Sequence, residues 1–420
     1  MASCGCDAAG PQGKGSRSLI PYEDALDQLL ARAQRIGETE SVRLTEALDR
    51  VLAEDVSSAI DVPPAANSAM DGYAIRLDDV QPGGETRLRV TQRIPAGEVG
   101  EPIEPGTAAR IFTGAPVPPN ADAVIMQEQV CTDGDEMFFT AEVSAGQNIR
   151  AAGEDIRAGQ VILEAGTRLR AQELGLAASV GRDRLQVCRR PRVGIFFTGD
   201  ELVEPGKPLG PGQIHDSNRY TLTGLLQMLG CEIVDLGIVG DTLGQTLEAL
   251  QKASARTDLV ITSGGVSVGE EDYVRIALEQ LGELDMWRIR IKPGKPLAFG
   301  FVGDTAFLGL PGNPVSVFAT FCLFVAPFIK QLTGAREVLA EPFTVSAAFD
   351  WPKPDSRREF ARARLIREAD GRLAAELYPN QSSGVLMSTC WADGLVEIPE
   401  ETSVKPGDPV RYYAFRDLIA

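Results

Sequence analysis

The chain has 420 residues, which is more than one hydrophobic core usually supports, so we expect several domains. Its 59 acidic and 41 basic residues give a formal net charge of −18 at pH 7, which disfavours binding to nucleic acid or to an anionic membrane surface. An anionic substrate must therefore be held locally, by backbone amides and a few placed cations. His215 is the only histidine, so Ser-His-Asp triads, Cys-His pairs and multi-histidine zinc sites are excluded.

The seven cysteines are scattered and form no CxxC pair, which is typical of reduced cysteines in a cytoplasmic protein. Residues 1–18, which contain Cys4 and Cys6, have the composition of a disordered tail and no apolar run long enough for a signal peptide. The longest apolar run, Val315–Leu332, is interrupted by polar residues and predicts a buried core helix rather than a membrane span. We therefore expect a cytoplasmic protein that is not embedded in a membrane.

The first 190 residues predict two domains of different character. Residues 19–60 and 151–190 contain apolar residues at helical spacing, and we assign them together to a helical, elongated linking domain. Residues 61–150 are rich in proline and glycine and contain short β-like runs, which predicts an inserted β domain. The predicted helices are Tyr22–Ala33, Glu46–Ala53 and Ala171–Val180, and the predicted strands are Arg87–Ile94, Ala108–Thr113 and Ala123–Gln129.

Residues 191–335 alternate apolar strands with amphipathic helices, which predicts a doubly wound α/β domain with a parallel sheet. Its predicted strands are Arg192–Phe197, Glu232–Val239, Asp258–Thr262, Met286–Ile291 and Thr305–Leu310. Residues 336–420 return to short strands separated by turn residues, which predicts a small β-barrel or sandwich. The fold class is therefore α/β multidomain: a doubly wound parallel-sheet domain, a helical linking domain, an inserted β domain and a C-terminal β-barrel domain.

Two loops at the carboxyl ends of predicted parallel strands are candidates for anion binding, because open parallel sheets bind ligands at that edge. The loop Ser263–Asp272 is glycine-rich and leads into a helix, so its backbone N–H groups can approach an anion closely. The loop Gly309–Pro314 has Asn313 as a candidate cap and Pro314 at the first helical position. A tight turn and an ordinary helix start explain these loops equally well. Their candidate binding residues are Ser263, Gly264, Gly265, Ser267, Pro311, Gly312, Asn313 and Pro314.

Charged residues follow the same strands. Lys292 and Lys295 lie in a proline-rigid turn, which indicates either a phosphate or oxyanion clamp or a solvated turn. Four carboxylates fall at the strand ends, namely Glu201, Asp241, Glu271 and Asp272. Each one alone is typical of a solvated or capping acid, but together, with no histidine nearby, they suit Mg²⁺, which takes oxygen ligands and keeps several waters. We predict Glu201, Asp241 and Asp272 as the metal-binding residues.

Seven motifs occur along the chain in a recognisable order and spacing. They are NSAMDGYA, TGAPVP, GQNIR–GEDI, TGDEL, ITSGGVSVGEEDY, IKPGKP and GLPGNPVS. The first three contain ordinary turn chemistry and would not indicate a function by spacing alone. Taken together, the seven motifs resemble the molybdopterin molybdenumtransferase family, which includes the corresponding domain of the animal protein gephyrin. The resemblance extends over residues 20–415, nearly the whole chain.

The resemblance implies four domains and an elongated homodimer, with a cleft between the α/β domain of one subunit and the β domain of the other. It implies adenylylated molybdopterin and molybdate as substrates, Mg²⁺ as cofactor, and release of the molybdenum cofactor and AMP. A pterin adenylyltransferase and molybdoenzyme-maturation proteins are possible partners. The family's functional motif positions are matched by Asp71, Thr113, Asp155, Glu201, Asp241, Asp272, Pro311 and Pro314, of which the first six are our predicted catalytic residues.

Three alternatives remain open at this point. The first is a pterin-binding scaffold of the gephyrin type, and the second is an insertase for tungstate. The third is a pterin adenylyltransferase, whose α/β domain resembles residues 190–335. The intact set of acidic residues argues against a scaffold, because a scaffold would be free to lose them. The β insertion and the C-terminal domain argue against the adenylyltransferase, which is usually small.

Overall fold

The computed structural model describes residues 19–265 and 273–419. The predicted disordered tail and the predictions for Ser267, Glu271 and Asp272 therefore lie outside the described residues. The chain divides into two compact units: unit 1 contains the N-terminal residues up to Glu40, Asp49–Val51 and the chain from Cys188 onward, and unit 2 contains Ser41–Leu48 and Leu52–Val187. The finer division into four domains stays a prediction.

The helices of the described chain include most of those that the sequence predicts. They are α1 (Tyr22–Ala31), α2 (Ala171–Ser179), α3 (Asn218–Met228), α4 (Leu243–Ser254), α5 (Tyr273–Leu281), α6 (Pro314–Thr320), α7 (Ala326–Thr333), α8 (Met387–Trp391) and α9 (Phe415–Ile419). The prediction of a helix at Glu46–Ala53 is wrong, because this region contains a single 3₁₀ turn, Leu44–Glu46. Asp49 follows in a left-handed conformation (φ 62°), which ends any helix, and Leu52 forms a β-bridge to Val187 instead.

Unit 2 is built mainly from short strands. These are β1 (Thr39–Arg43), β2 (Val56–Ser57), β3 (Asn67–Ser68), β4 (Gly72–Ile75), β5 (Thr86–Ile94), β6 (Thr107–Ile111), β7 (Ala123–Met126), β8 (Cys131–Asp133), β9 (Glu136–Phe139), β10 (Ile149–Arg150), β11 (Val161–Leu163) and β12 (Arg184–Cys188). Six of them form one sheet in the order β7-β4-β6-β5-β9-β8, and the three strands predicted for this region are confirmed as β5, β6 and β7. Alternate side chains of this sheet enter two small cores, because successive strand residues point to opposite faces.

The remaining part of unit 2 contains less helix than the sequence predicts. Its core includes Val42, Leu52, Leu163 and Val187, and α2 packs against it. These apolar residues come from strands and turns that are too short for their spacing to distinguish a strand from a helix. The linking segment is therefore only partly helical.

The strands of unit 1 form a six-stranded sheet, a barrel and a separate parallel pair, Leu202–Val203 with Ile214–His215. They are β13 (Arg192–Thr198), β14 (Leu202–Val203), β15 (Ile214–His215), β16 (Glu232–Val239), β17 (Leu259–Ser263), β18 (Gly282–Arg288), β19 (Ile291–Lys292), β20 (Pro296–Val302), β21 (Thr305–Leu310), β22 (Phe343–Ala347), β23 (Arg358–Arg367), β24 (Leu373–Leu377), β25 (Gly394–Ile398) and β26 (Pro409–Ala414). The sheet has the order β16-β13-β17-β21-β20-β18, with β16, β13, β17 and β21 parallel. Helices α1, α3, α6 and α7 pack on one face and α4 and α5 on the other, so the predicted doubly wound fold is confirmed.

One edge of this sheet is antiparallel, which the sequence analysis did not predict. Strand β20 pairs antiparallel with both β21 and β18, and the segment Pro296–Val302 had not been assigned to a strand. Only Gly303 and Asp304 join β20 to β21, and a connection of two residues permits a hairpin but no parallel crossover. Pro296 is tolerated because it is the first residue of its strand, where its missing N–H is least needed.

The apolar segment Pro314–Thr333 is long and apolar enough to cross a membrane by length and composition alone. However, 83% of its most apolar window is buried inside unit 1, as is typical of a core helix. Phe321, Phe324 and Phe328 are fully buried against the sheet. The prediction of a buried core helix is confirmed.

The C-terminal part of unit 1 is the predicted β-barrel. Strands β23, β24, β22, β26 and β25 follow one another, and β25 pairs back onto β23, so the five strands close. Strand β19 pairs in parallel with β23, which aligns Lys292 with Glu359. The sheet and the barrel of unit 1 are thereby joined at the turn that contains the IKPGKP motif.

A largely buried ion pair supports the start of the parallel sheet. Arg189 donates to both carboxylate oxygens of Asp258 at 2.7 Å, and the backbone N–H of Arg192 donates to the same carboxylate at 2.8 Å. Burial alone would raise the pKa of the Asp258 carboxyl, but the hydrogen bonds from Arg189 and Arg192 outweigh it and lower this pKa. The carboxylate therefore stays ionised between the first residues of β13 and β17.

Replacing this carboxylate should destabilise unit 1. Asp258→Asn should lower the free energy of unfolding by about 2 kcal/mol at pH 7, since the largely buried Arg189 guanidinium would lose two charge-assisted hydrogen bonds and keep only the exposed Glu38 as an acidic partner. Tryptophan fluorescence during urea unfolding reports on unit 1, because Trp287, Trp351 and Trp391 all belong to it. The difference between parent and variant should shrink as the pH falls through the lowered pKa, where the parent carboxyl is protonated too.

The matched control is Glu232→Gln, at the start of the neighbouring strand. Glu232 pairs with Arg192 at 3.3 Å, but both side chains are about half exposed, so its loss should cost less than about 1 kcal/mol. Equal effects of the two substitutions at pH 7 would contradict a stabilising role of the Arg189–Asp258 pair.

Candidate functional site

The four parallel strands of unit 1 end at the same edge of the sheet. Val239 pairs with Thr198, Phe197 with Ser263, and Ser263 with Leu310, so the strand ends are aligned to within about one residue. These strand ends and the segments that follow them contain the predicted site residues Glu201, Asp241, Ser263, Gly264, Gly265, Pro311, Gly312, Asn313 and Pro314. Their predicted location at one sheet edge is confirmed, whereas their functional roles stay predictions.

Two glycines let the loop after β17 lie against the end of β13. Gly264 and Gly265 have φ values of 93° and 64°. A Cβ at Gly264 would lie 3.0 Å from the carbonyl oxygen of Thr198, and one at Gly265 would lie 2.8 Å from the Thr198 hydroxyl. Both the backbone conformation and the space therefore require glycine, which explains the Gly-Gly pair of this motif in structural terms.

Asn218 joins the two predicted anion-binding loops, and the sequence analysis missed it. Its side-chain amide, at the start of α3, donates to the Ser263 hydroxyl at 2.9 Å and to the carbonyl oxygen of Gly312 at 2.8 Å. It is 45 residues before Ser263 and 94 before Gly312, so no local sequence pattern could have indicated the contact. Asn313 lies at the cap position before α6 and Pro314 is its first residue, as predicted, but the Asn313 side chain makes no capping hydrogen bond.

Buried polar atoms without a partner occur beside this edge. Asp216 is almost completely buried, and its Oδ2 accepts no hydrogen bond from a described residue; the same holds for the side-chain oxygens of Asn218 and Thr262. Burial raises the pKa of the Asp216 carboxyl, although the backbone N–H of Arg219 donates to its other oxygen. A buried acceptor without a partner is uncommon in native proteins, which makes these three side chains candidates for a functional role.

Glu201 and Asp241 follow adjacent parallel strands. The carboxylate of Glu201 lies beside Gly199, where an added Cβ would come within 2.5 Å of its Oε2. Asp241 precedes α4, whose cap is the side chain of Thr242. Across residues 19–265 and 273–419, no group of three or more His, Cys, Asp or Glu side chains is arranged to hold a metal ion. The predicted third ligand, Asp272, lies outside these ranges.

The two lysines of the IKPGKP motif differ in their surroundings. The ammonium group of Lys292 forms an ion pair with Glu359 at 3.0 Å, and Glu359 is almost completely buried. Lys295 is exposed and forms no ion pair with any described residue. Gly294 between them (φ 105°) lies against α6, where an added Cβ would come within 2.4 Å of Thr320. The motif thus packs on the helix that begins at Pro314.

Arg362 is a second functional candidate that the sequence analysis missed. It is fully buried in the barrel, where its Nε donates to Ser388 at 3.1 Å and its Nη2 to the carbonyl oxygen of Ser382 at 3.1 Å. Its Nη1 has no partner in the described chain. Burial lowers the pKa of Arg362 to about 10, so the guanidinium stays charged at neutral pH. Nothing in the alternating strand pattern around it distinguishes this arginine from a surface one.

In unit 2, Asp71 and Thr113 form a direct contact. Asp71 Oδ1 accepts from the backbone N–H of Thr113 at 2.8 Å and from its hydroxyl at 2.9 Å. These two hydrogen bonds, the backbone one first, lower the pKa of the Asp71 carboxyl, and the charge of Arg110 acts in the same direction. Gly72, the next residue, must lack a side chain, since a Cβ would lie 1.9 Å from the carbonyl oxygen of Ile125.

Three motifs of unit 2 meet at strand β3. Ser68 pairs with Ile149 and exchanges backbone hydrogen bonds with the Gly114–Ala115 turn, which joins NSAMDGYA to GQNIR and to TGAPVP. Asp155, in contrast, forms a backbone bond to Val62 and no hydrogen bond to Asp71 or Thr113 among the described residues. The structure thus brings two of the three predicted catalytic residues of this unit together.

Comparisons with known proteins agree with this arrangement of motifs. Three family models match in succession: the MoeA N-terminal region (domain I and II) over residues 20–181, the probable molybdopterin binding domain over 194–331, and the MoeA C-terminal region (domain IV) over 344–415. A molybdopterin molybdenumtransferase from Haemophilus influenzae is 40% identical over 405 residues, which cover 96% of this chain and 100% of that protein. The chain belongs to the molybdopterin molybdenumtransferase family. The resemblance inferred from the seven motifs is thereby confirmed.

Further relatives extend this similarity. A molybdopterin molybdenumtransferase from Nostoc is 39% identical over 388 residues, which cover 89% of this chain and 88% of that protein. Among solved structures, the molybdopterin biosynthesis moeA protein of Pyrococcus horikoshii OT3 superposes with a TM-score of 0.82 at 33% identity, covering 94% of this chain and 100% of that one. These relatives are named as transferases, and membership of their family confirms the predicted enzyme class.

The contact between Asp71 and Thr113 can be tested by titration. Thr113→Ala removes the hydroxyl donor but keeps the backbone N–H, so the pKa of Asp71 should rise part of the way towards its usual value. Carbon NMR of the aspartate side chains against pH measures this shift. Thr107→Ala, at the first residue of β6, is the control, because within the described chain the Thr107 hydroxyl donates to the carbonyl oxygen of Glu104 and to no other group. An unchanged Asp71 titration in Thr113→Ala would show that the hydroxyl does not stabilise the carboxylate.

Proposed function

We propose that this protein transfers molybdenum from molybdate to adenylylated molybdopterin and releases the molybdenum cofactor and AMP. The observation that carries the proposal is the alignment of four parallel strand ends, where the family's motif residues occur together in unit 1. Full-length similarity to proteins named molybdopterin molybdenumtransferase supports it. The chain also spans all three matched regions, which supports an insertase over a small adenylyltransferase.

The residues of unit 1 can bind an anionic substrate despite the acidic chain. The glycine backbone at Gly264 and Gly265 allows close approach, and Asn218 holds its loop against Gly312. Lys292 and Arg362 both exert their charge on Glu359, so two cations lie near one buried carboxyl. We propose that Lys292 and the exposed Lys295 hold the oxyanion or phosphate oxygens, while the buried Arg362 adds positive charge behind Lys292.

The donor set at the sheet edge suits Mg²⁺ better than a softer metal. Glu201 and Asp241 supply hard carboxylate oxygens, and Mg²⁺ usually takes one or two carboxylates together with substrate phosphates and waters. We propose that Glu201 and Asp241, with Asp272, would hold the ion. When bound, Mg²⁺ would offset the negative charge that develops on phosphate oxygens as the adenylyl bond breaks. The acidic side chains would orient it, while the cations and backbone amides would position the substrate.

A direct assay tests the proposal. Purified protein incubated with adenylylated molybdopterin, molybdate and Mg²⁺ should release AMP and form molybdenum cofactor, and omission of molybdate or Mg²⁺ should prevent the reaction. AMP is quantified by chromatography, and the cofactor by reconstitution of a cofactor-free molybdoenzyme. Absence of molybdate-dependent AMP release by a folded protein would refute the insertase function.

Two amide substitutions examine the proposed metal-binding carboxylates. Asp241→Asn and Glu201→Gln keep the side-chain size but remove one charge each, and loss of one preorganised electrostatic group commonly slows a reaction ~10²–10³-fold. Raising the Mg²⁺ concentration should partly restore both variants. Glu248→Gln is the control, because Glu248 is an exposed residue of α4 paired with Lys252. Turnover of both variants within about threefold of the control would remove these carboxylates from the proposed metal site.

We also propose a homodimer, as the family resemblance implies. Sedimentation velocity at micromolar concentration should then give twice the mass of one chain. A monomer that retains full activity would contradict this part of the proposal without affecting the reaction itself.

A further inference from the structure

The barrel of unit 1 contains a buried acid in contact with one of the lysines that we propose to hold the oxyanion. Glu359, on β23, is almost completely buried, and its Oε2 accepts from the ammonium group of Lys292 at 3.0 Å. Its Oε1 accepts no hydrogen bond from a described residue. The Lys292 side chain is 38% exposed. Lys292 therefore lies between the buried carboxyl and solvent, where a dissolved anion can reach the lysine but not the acid.

Several influences act on the Glu359 carboxyl. Burial is the largest and raises its pKa, although the hydrogen bond and the charge of Lys292 lower it. The charge of Asp355 raises this pKa further, and that of Arg362 lowers it. Arg357 also interacts with Glu359, but it pairs with Asp355 at 2.9 Å, so its charge is largely compensated. Any loss of the Lys292 contribution therefore favours the neutral acid.

A second buried glutamate of the barrel has different surroundings. Glu397, on β25, pairs with Arg358 at 3.2 Å through Oε1 and with Arg411 at 3.1 Å through Oε2. The Tyr413 hydroxyl also donates to its Oε2 at 3.0 Å. Both oxygens of Glu397 thus have a cationic partner, and neither arginine belongs to the candidate site. The cation that donates to Glu359, in contrast, is one that we propose to bind the substrate.

An anion bound to Lys292 acts on the same carboxyl. A lysine ammonium has three N–H donors, so it can donate to an oxyanion while it stays beside Glu359. The bound anion then lies close to the carboxylate, and a neighbouring negative charge raises the pKa of an acid. The ammonium charge is also shared between two anions, which weakens the compensation of a carboxylate that burial already destabilises. Both effects favour the addition of a proton to Glu359.

We infer that Glu359 is a positioning residue, which acts through Lys292 and couples oxyanion binding to the uptake of one proton. The proton passes from solvent to a carboxylate oxygen, and the buried acid becomes neutral as the anion binds. The ammonium charge of Lys292 then serves the anion instead of the internal carboxylate. This inference rests on the proposed function, in which Lys292 holds an oxyanion.

Calorimetric titration of the full-length protein with molybdate tests the inference, because molybdate has no ionisation of its own near neutral pH. Titrations in two buffers of different ionisation enthalpy give the number of protons taken up per bound anion. The parent should take up protons between the pKa of Glu359 in the free protein and its higher pKa in the complex. As the pH rises through this range, molybdate should bind more weakly. A rise of this pKa by about one unit corresponds to about a tenfold loss of affinity.

Substitutions in the barrel assign the proton to one residue. Glu359→Gln keeps the side-chain size and an acceptor oxygen, but it should take up no proton and bind molybdate about tenfold more tightly than the parent at the alkaline end of the range. Asp355→Asn removes a negative charge beside Glu359, so its proton uptake should move to lower pH. Glu397→Gln is the matched control, buried in the same barrel, and should leave the proton uptake unchanged.

The measurement on the parent requires no substitution, so it tests the inference even if a variant fails to fold. The inference is overturned if the parent binds no molybdate, if it binds molybdate without proton uptake, or if Glu359→Gln takes up protons like the parent. Molybdate-dependent AMP release without proton uptake would refute the inference and leave the proposed function intact. Proton-coupled molybdate binding without AMP release would instead refute the proposed function alone.

Discussion

The parallel pairing of β13, β16, β17 and β21 is the constraint on which the candidate site of unit 1 depends. Parallel neighbours need helical crossovers, so each strand leaves the sheet at the same edge and each loop there begins a connection. Both faces of the sheet are buried, and a slip of one residue would turn every buried side chain to the wrong core. The hydrophobic register therefore fixes the positions of the polar residues beyond the strand ends.

Much of this arrangement was predictable because it follows from local patterns. Glu232–Val239 and Thr305–Leu310 were predicted with their observed boundaries, since continuous apolar runs between amphipathic helices have few other interpretations. The hairpin strand Pro296–Val302 was missed because it begins with proline directly after a turn motif. The helix predicted at Glu46–Ala53 failed because tertiary pairing of Leu52 with Val187 outweighed a weak helical pattern.

The candidate site was only partly predictable, for a different reason. Motifs along the chain located the glycine loop, the lysines and the acidic strand ends, which each occupy a few consecutive residues. Asn218 and Arg362 act through contacts with residues far away in sequence, and Arg362 is distinguished only by its burial and its unpaired Nη1. A single sequence contains no record of such contacts, so they appear only once the fold is known.

Charge compensation, rather than net charge, determines where this acidic protein can bind an anion. Lys292 is partly neutralised by Glu359, but the same buried carboxyl also lies within the influence of the Arg362 charge, so two cations share one acid. On strand β5, Arg87 and Arg93 both stack on phenylalanine rings, but of the two only Arg87 has acidic partners among the described residues. A long polyanion experiences the whole surface and is repelled, whereas a small anion experiences only the charges within about 10 Å. Such local deficits of negative charge therefore allow a chain with this net charge to bind a phosphate or an oxyanion selectively.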